Sequence, residues 1–364
     1  MIMYLNYFSN RARMIIFFLS LIWVFACTTV PIQDYSSYRD AVNQARTAGE
    51  EILIDFAAAK STYESFSNTD GGKEISSRHN EFNPSKLVAK ADVIDDVVVR
   101  LKAWETLVQY NTVLEFIIQG KSPNEVEAAT MGLLDTLSSF PSNTIKDFAT
   151  DLNPAISLLS TVISLTQQEY DRRKALDSII KVGPYISTHF ISLLKKDVAI
   201  FYNVRMGLND RAYVQQIART TILVKRYIEL SMTVNKESKV VKLTSAINNT
   251  LASIPGKNDG SPALKQIAPL YSGGKISNLE FEQLQDIAQQ IDTSAKKLIA
   301  LDNELEAYQK TVSAYLDMID HVDVNLRIFV TKAKSNRTAP PDKAALINSV
   351  IRLKKAYRVY QDSK

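Results

Sequence analysis

The feature that most constrains the fold is a seven-residue repeat of apolar side chains in the C-terminal third of the chain. Its positions are Leu284, Ile291, Leu298, Leu305, Val312, Ile319 and Leu326. Such a repeat lines one seam of a long α-helix, because seven residues make almost two helical turns. Ser277–Glu280 has the Ser-x-x-Glu pattern of a capping box, so we predict a helix from there to about residue 333. At 1.5 Å per residue it would be roughly 80 Å long.

A second seam lies near the N-terminus, where apolar and small residues are spaced alternately three and four apart. Its positions are Tyr35, Tyr38, Val42, Ala45, Gly49, Ile52, Phe56, Ala59, Tyr63 and Phe66. The small residues among them indicate that a neighbouring helix approaches closely. This pattern predicts a first long helix.

Glycine and proline are sparse, at 11 residues each in 364, and they fall where other signals also mark helix ends. We predict further helices that begin at Pro84, the capping box Ser122–Glu125, Pro154, Pro184 and Asp210. Their expected ends are near residues 119, 140, 182, 206 and 254, and a last helix covers 342–361. No segment alternates convincingly between apolar and polar residues, so no sheet is expected.

The predicted fold is therefore all-α, an elongated antiparallel helical bundle with long coiled-coil-like helices. Residues 34–254 would form the main bundle. A linker with a short helix would follow over 255–277, because Pro255–Pro262 is rich in Gly and Pro. Residues 278–364 would supply the long helix and a basic C-terminal helix that packs on the bundle.

The N-terminus has the pattern of an export signal. Arg11 and Arg13 precede an uncharged apolar run over 14–26, which is short for a membrane-spanning helix. The run ends in Val24-Phe25-Ala26-Cys27, and this tetrapeptide resembles the lipobox of bacterial lipoprotein precursors.

The resemblance covers residues 1–27 and implies that the signal peptide, 1–26, is cut between Ala26 and Cys27. It implies that the Cys27 thiol carries a diacylglycerol, with 27–33 as a lipidated tether. An uncleaved anchor over 14–30, an ordinary cleaved signal and a start at Met14 remain alternatives. Both a lipoprotein and a protein with an uncleaved anchor would keep the basic N-terminal residues in the cytoplasm. In both cases the rest of the chain would be exported.

The expected location is the bacterial cell envelope, facing the periplasm. The outer membrane is favoured over the inner, because Thr28 stands where an aspartate retains many lipoproteins at the inner membrane. Cys27 is the only cysteine, so the exported body has no disulfide. The net charge of +4 falls to +2 without the two arginines of the signal, which gives no drive toward nucleic acid.

One cluster has the residue types of a metal site. Asp317 and His321 share a helix face, and Asp320 lies on an adjacent face. A stable site needs three or four ligands, so others would have to come from another helix. The alternative is a solvated polar face with Ile319 and Val322 turned inward.

The remaining histidines carry no catalytic pattern. We expect His79 to be solvated in a polar loop and His189 to be buried and hydrogen-bonded in an uncharged run. The chain has no nucleophile elbow, phosphate loop or dinucleotide fingerprint. We therefore predict no enzymatic activity, no cofactor and no small-molecule substrate.

Two stretches, 152–168 and 182–194, contain no charged residue. They would suit central helices that are apolar because other helices surround them. A hairpin that inserts into a bilayer, as in α-helical pore-forming proteins, is the alternative.

The C-terminal helix combines cations with apolar residues. Arg352, Lys354, Lys355 and Arg358 could contact an anionic lipid or another anionic surface of the envelope. The alternative is a docked helix with a solvated basic side.

These patterns predict a membrane-anchored helical scaffold or adaptor in a cell-envelope complex, with envelope proteins as partners and a homo-oligomer as one possible state. A membrane-active or pore-forming helical protein is the alternative function. A metal-binding or enzymatic helical protein is a third.

Overall fold

The computed structural model describes residues 32–67, 97–140, 146–168, 170–196, 198–234, 278–334 and 343–364. Within these ranges every regular element is a helix and no strand is present, which confirms the predicted all-α fold. In chain order the helices are α1 (Ile32–Ser67), α2 (Val97–Gln119), α3 (Pro123–Ser138), α4 (Lys146–Gln167), α5 (Arg172–Ile186), α6 (Ser192–Lys196), α7 (Val198–Val234), α8 (Asn278–Lys334) and α9 (Lys343–Ser363). A π-helical turn, Ser187–Ile191, joins α5 to α6.

Both predicted seams are buried wherever the structure describes their side chains. In α1, the seam positions from Tyr38 to Ala59 are all buried, and in α8 the seven-residue repeat from Leu284 to Leu326 is no more than 7% exposed. Each large apolar side chain removed from water contributes about 1.5–3 kcal/mol. The repeat therefore stabilises α8 along almost its whole length of 57 residues.

The capping box predicted at the start of α3 is confirmed. The Glu125 amide donates to Ser122 Oγ at 3.4 Å, and the Ser122 amide donates to Glu125 Oε2 at 3.0 Å. Pro123 occupies the first turn, where a missing N–H costs nothing.

Several predicted helix boundaries are wrong. Pro154 and Pro184 lie inside α4 and α5 rather than at their first turns, and the predicted helix over 154–182 is broken after Gln167. Asp171 starts α5 there, because its side chain accepts the amides of Arg173 at 3.0 Å and of Lys174 at 3.1 Å. After Pro184 the backbone widens into the π-helical turn, a local adjustment that accommodates altered hydrogen bonding in a continuous helix.

Helix α7 also differs from prediction, because it continues through Gly207 and Asp210 without a break. Asp210 is buried inside the helix rather than capping a new one. The predicted linker, 255–277, lies outside the described residues, as does the start of the helix predicted at Pro84.

The spacing of apolar residues predicts a buried face of α2 that includes Val98, Leu101, Trp104 and Val108, and this prediction is partly wrong. Trp104 is fully buried as expected, but Val98 is 52% exposed and Val108 is half-buried. The fully buried apolar residues of this helix include Val99, Ala103, Trp104, Leu107, Tyr110, Val113 and Ile117. Apolar residues of α2 occupy most of its faces. The periodicity of apolar residues alone therefore does not identify which face is buried. Gly120 follows the last residue of α2 with a φ of 68°, in agreement with the predicted end near residue 119.

The chain divides into two compact units, each built from separated segments. Unit 1 combines the described parts of 1–46, Lys102–Ser192 and Asp320–Ile347. Unit 2 combines the described parts of Thr47–Leu101, Leu193–Ile319 and Asn348–Lys364. Helices α1, α2, α6, α8 and α9 each contribute residues to both units.

In unit 1, close packing surrounds Gly183. The Tyr110 hydroxyl donates to the Ile179 carbonyl at 3.2 Å. A Cβ added at Gly183 would lie 2.6 Å from Val330 Cγ2 and 2.7 Å from the Tyr110 hydroxyl. Glycine is therefore the residue that lets these three helices approach one another.

In unit 2, α7 and α8 pair in opposite directions. Asn209 Nδ2 donates to the Leu301 carbonyl at 2.7 Å, and the Thr220 and Ser294 hydroxyls are 2.5 Å apart. Further along, Tyr227 packs with residues of α8 that include Leu284, Ile287 and Ile291. The partner number on α8 falls as the number on α7 rises, which fixes the opposite directions of the two helices.

Candidate functional site

The predicted lipidation site lies outside the described residues. This applies to Cys27, to Ala26 on the other side of the predicted cleavage point, and to the tether over 27–31. His79 also lies outside the described ranges.

The residues of the candidate metal site are placed as follows. Asp317 accepts from Arg352 Nη2 at 2.7 Å, so its carboxylate forms an ion pair with α9. Asp320 is exposed and His321 is half-buried. In the part of the chain that the structure describes, no group of three or more His, Cys, Asp and Glu side chains could hold a metal ion.

Asp323, one turn further along α8, is occupied by protein partners. It accepts from the Ser187 hydroxyl in the π-helical turn and from Arg327 Nε at 3.0 Å. His189, in the same turn, is half-buried and therefore less enclosed than the sequence predicts. This carboxylate holds the π-helical turn against α8.

The two uncharged stretches contribute apolar side chains to helix packing. In 152–168, Leu152, Ala155, Leu159 and Val162 are buried, whereas Ser157, Ser160, Thr161 and Ser164 are exposed. In 182–194, the buried residues include Val182, Ile186, Phe190, Ile191 and Leu194. Among the described residues, no helix is long and apolar enough to cross a membrane.

The basic side chains of α9 divide into two groups. Arg352 is bound to Asp317, as described above. Lys354, Lys355 and Arg358 are exposed, and within the described ranges none of the three takes part in an ion pair.

Unit 2 contains a partly buried polar network that the sequence did not predict. Asp55 on α1 accepts from the Tyr360 hydroxyl at 3.2 Å and from Lys364 Nζ at 2.5 Å. Arg205 on α7 forms an ion pair with Glu304 on α8, with 2.5 Å between Nη2 and Oε1. The network therefore links α1, α7, α8 and the C-terminal end of α9.

Aromatic rings connect the two halves of this network. The Tyr360 ring centroid lies 4.9 Å from that of Tyr308, and the Arg205 guanidinium carbon lies 5.2 Å from the Tyr360 ring centroid. Lys364 Nζ lies 4.5 Å from the same centroid. Cations on an aromatic ring are attracted by its quadrupole, so Tyr360 binds through both its ring and its hydroxyl.

The surroundings of Tyr360 and Arg205 shift the pKa values of both side chains upward. Burial raises the pKa of Tyr360, an effect that Arg205 opposes and Asp55 reinforces. Burial lowers the pKa of Arg205, but Tyr360, Glu304 and Asp55 outweigh that effect and raise it. The tyrosine remains a neutral donor and the arginine a cation, which suits a structural role better than proton transfer.

Open grooves lie among the described residues of unit 2, and two of them have a defined lining. The larger, of 520 Å³, is lined by residues that include Arg219, Lys297, Glu304 and Lys364. The smaller, of 340 Å³, is lined by Arg226, Glu229, Leu230, Gln283, Asp286 and Ile287. Both mix cationic, anionic and neutral side chains, and neither combines an apolar enclosure with convergent polar groups as small-molecule sites do.

No family model matches the chain, and no curated protein or solved structure shows significant similarity to it. The function is therefore argued from the chain's own residues.

Proposed function

We propose that this chain is a lipid-anchored helical scaffold or adaptor of the bacterial cell envelope. The observation that carries the proposal is the tetrapeptide Val24-Phe25-Ala26-Cys27, which follows a basic end and an uncharged apolar run. Acylation at Cys27 would hold the body at a membrane surface, with the outer membrane favoured. Two or three acyl chains bind far more firmly than the single chain that gives only reversible attachment.

The helical body supports a scaffolding role. Helix α8 has 57 residues, so it would extend roughly 85 Å at 1.5 Å per residue. Its buried seam and the opposite directions of α7 and α8 support the proposal that the body is an elongated antiparallel bundle with coiled-coil-like seams. Such a body exposes long helix surfaces to envelope proteins, and its proposed role involves neither catalysis nor a cofactor.

The shape can be tested by small-angle X-ray scattering on the purified full chain in detergent. The proposal predicts a maximum dimension at least as long as α8, after the detergent contribution is matched out. A maximum dimension typical of a sphere of the same mass would contradict the elongated bundle.

The anchor can be tested by intact mass spectrometry of the chain extracted from bacterial membranes. We expect a polypeptide that begins at Cys27 and carries a diacylglycerol, and an uncut, unacylated precursor for the Cys27→Ser variant. A wild-type chain that retains residues 1–26, or lacks acyl groups after cleavage, would refute the lipid anchor.

The scaffolding role needs a separate experiment. Intact cells that express either the wild-type or the Cys27→Ser chain would be cross-linked, and proteins bound to each would be quantified. We expect the wild-type chain to be cross-linked to defined envelope proteins in amounts close to its own. We expect these proteins to be lost from the sample of the variant. Recovery of no stable partner would count decisively against a scaffold.

The membrane-active alternative is less well supported, because many apolar side chains of 152–168 and 182–194 are already buried. The purified full chain added to dye-loaded vesicles distinguishes the two functions. We expect no dye release, whereas dose-dependent release would favour the pore-forming function.

A further inference from the structure

Helix α9 has two sides with different roles, and the inner side is fixed. Leu346, Val350, Leu353 and Tyr360 are each no more than 1% exposed. Their spacing of four, three and seven residues places them on one helix face. Together with the Tyr360 and Lys364 contacts to Asp55, this burial fixes which side of α9 points outward.

The outer side combines cations with aliphatic residues. Ile351 is 57% exposed and Val359 is 51% exposed, and the exposed Lys355 and Arg358 lie between them along the chain. At about 100° per residue these four positions fall within an arc of about 100°. Lys354 borders the arc, and Asp362 is the exposed acidic residue on the same face.

The ion pairs of α9 indicate which cations are available. Arg352 is held by Asp317, whereas Lys354, Lys355 and Arg358 extend from the helix without a carboxylate partner among the described residues. Two exposed aliphatic side chains beside three such cations match a surface that is anionic and has hydrocarbon just beneath it.

We propose that the outer face of α9, defined by Ile351, Lys354, Lys355, Arg358 and Val359, binds the headgroup region of an anionic phospholipid bilayer. Cations contact the lipid phosphates, and Ile351 and Val359 enter the boundary between headgroups and acyl chains. The face carries no aromatic side chain, so the contact is shallow and depends strongly on charge. This proposal deepens the envelope function proposed above, although it does not require the lipid at Cys27.

The test uses the full chain with Val359→Cys, labelled there with an environment-sensitive fluorophore. If Cys27 is acylated, the introduced cysteine is the only free thiol. The labelled protein is mixed with vesicles of pure phosphatidylcholine, or of phosphatidylcholine with phosphatidylglycerol. We expect a blue-shifted, brighter emission on the anionic vesicles alone and its loss in molar salt.

The deciding variant carries Lys354→Glu, Lys355→Glu and Arg358→Glu in the labelled chain. Loss of the three surface cations alone should weaken the contact about a hundredfold, and the three added carboxylates should weaken it further. The matched control is Arg173→Glu, Lys181→Glu and Lys225→Glu, which changes the same charge at exposed positions outside α9. We expect the control to keep the blue shift, and both variants to keep the wild-type circular dichroism spectrum and melting temperature.

Several outcomes would overturn the proposal. These are equal emission on both vesicle types, an equal loss of the shift in the control variant, or no shift on any vesicle. Failure of the anchor gives a different result, because Cys27 then also reacts with the label and each chain carries two labels. The Cys27→Ser variant restores a single label at position 359. In that case, a charge-dependent shift at position 359 still supports the α9 surface.

Discussion

Replacement of Gly183 by alanine should destabilise the protein, although an alanine in a helix is normally favourable. Intrinsic helix propensity alone predicts a gain of about 1 kcal/mol. The added Cβ, however, would lie 2.6 Å from Val330 Cγ2 and 2.7 Å from the Tyr110 hydroxyl, whereas ordinary contacts are 3.4–4 Å. Because both neighbours are packed in the core, they must move by several tenths of an ångström or more.

The expected magnitude follows from two costs. Overpacking of a core costs about 1–3 kcal/mol. Displacement of the Tyr110 hydroxyl also weakens its hydrogen bond to the Ile179 carbonyl, which costs about 1 kcal/mol. After the propensity gain is subtracted, the free energy of unfolding should fall by about 1–3 kcal/mol.

Gly132→Ala is the matched control. Gly132 lies inside α3, and a Cβ there would meet no atom within 4 Å. This variant should raise the free energy of unfolding by about 0.5–1 kcal/mol, because it keeps only the helix-propensity gain. The same substitution in two helices of unit 1 should therefore have opposite signs.

The assay is urea denaturation followed by far-ultraviolet circular dichroism, with the midpoints compared at equal slope. Val330→Ala and its combination with Gly183→Ala complete a double-mutant cycle, and we expect a favourable coupling of about 0.5–3 kcal/mol. If Gly183→Ala stabilises the protein as much as Gly132→Ala does, the close packing described around Gly183 is refuted.

Three further substitutions test the capping box and the contacts in unit 2. Ser122→Ala should lower the melting temperature at neutral pH, because the start of α3 loses its cap. The Ser122 contacts lower the pKa of Glu125, so the stability from its carboxylate is present above its ordinary pKa and lost as the pH falls through the lowered value. The effect of Ser122→Ala should therefore shrink in acid, and an effect independent of pH would contradict this. Tyr360→Phe should reduce the free energy of unfolding by about 1 kcal/mol in urea titrations. Tyr357→Phe should change it little, because that hydroxyl lies 3.5 Å from its acceptor, and equal effects would refute the difference. Ser294→Ala removes the acceptor of the half-buried Gln216 side-chain amide and the hydroxyl partner of the buried Thr220, both on α7. It should cost about 1–3 kcal/mol, as measured by the thermal midpoint, and an unchanged midpoint would refute the role of this contact.

The sequence predicted the features that depend on local pattern. The seams of α1 and α8 can be recognised in the sequence because apolar residues recur at a fixed interval along a buried helix face. The cap at Ser122 can be recognised because its partner is three residues away. The sequence wrongly predicts that helices begin at Pro154 and Pro184. A proline inside a helix is tolerated where the neighbouring backbone adjusts, and that adjustment depends on tertiary packing.

The polar network of unit 2 could not be predicted from one sequence. Asp55 meets Tyr360 and Lys364 across 305 and 309 residues of chain. Acidic and basic residues beside a seam usually face water. No local sequence pattern distinguishes the residues of this network from such solvent-exposed residues. The lipobox-like site at Cys27 stays a prediction, because it lies outside the described residues.

The division of the chain into units has a consequence for biosynthesis. Unit 1 requires Asp320–Ile347 and unit 2 requires Asn348–Lys364, although both also contain residues from the first quarter of the chain. A ribosome must therefore synthesise nearly the whole polypeptide before either unit can close its core. Until then, the apolar seams of the earlier helices lack their final partners and are open to chaperones.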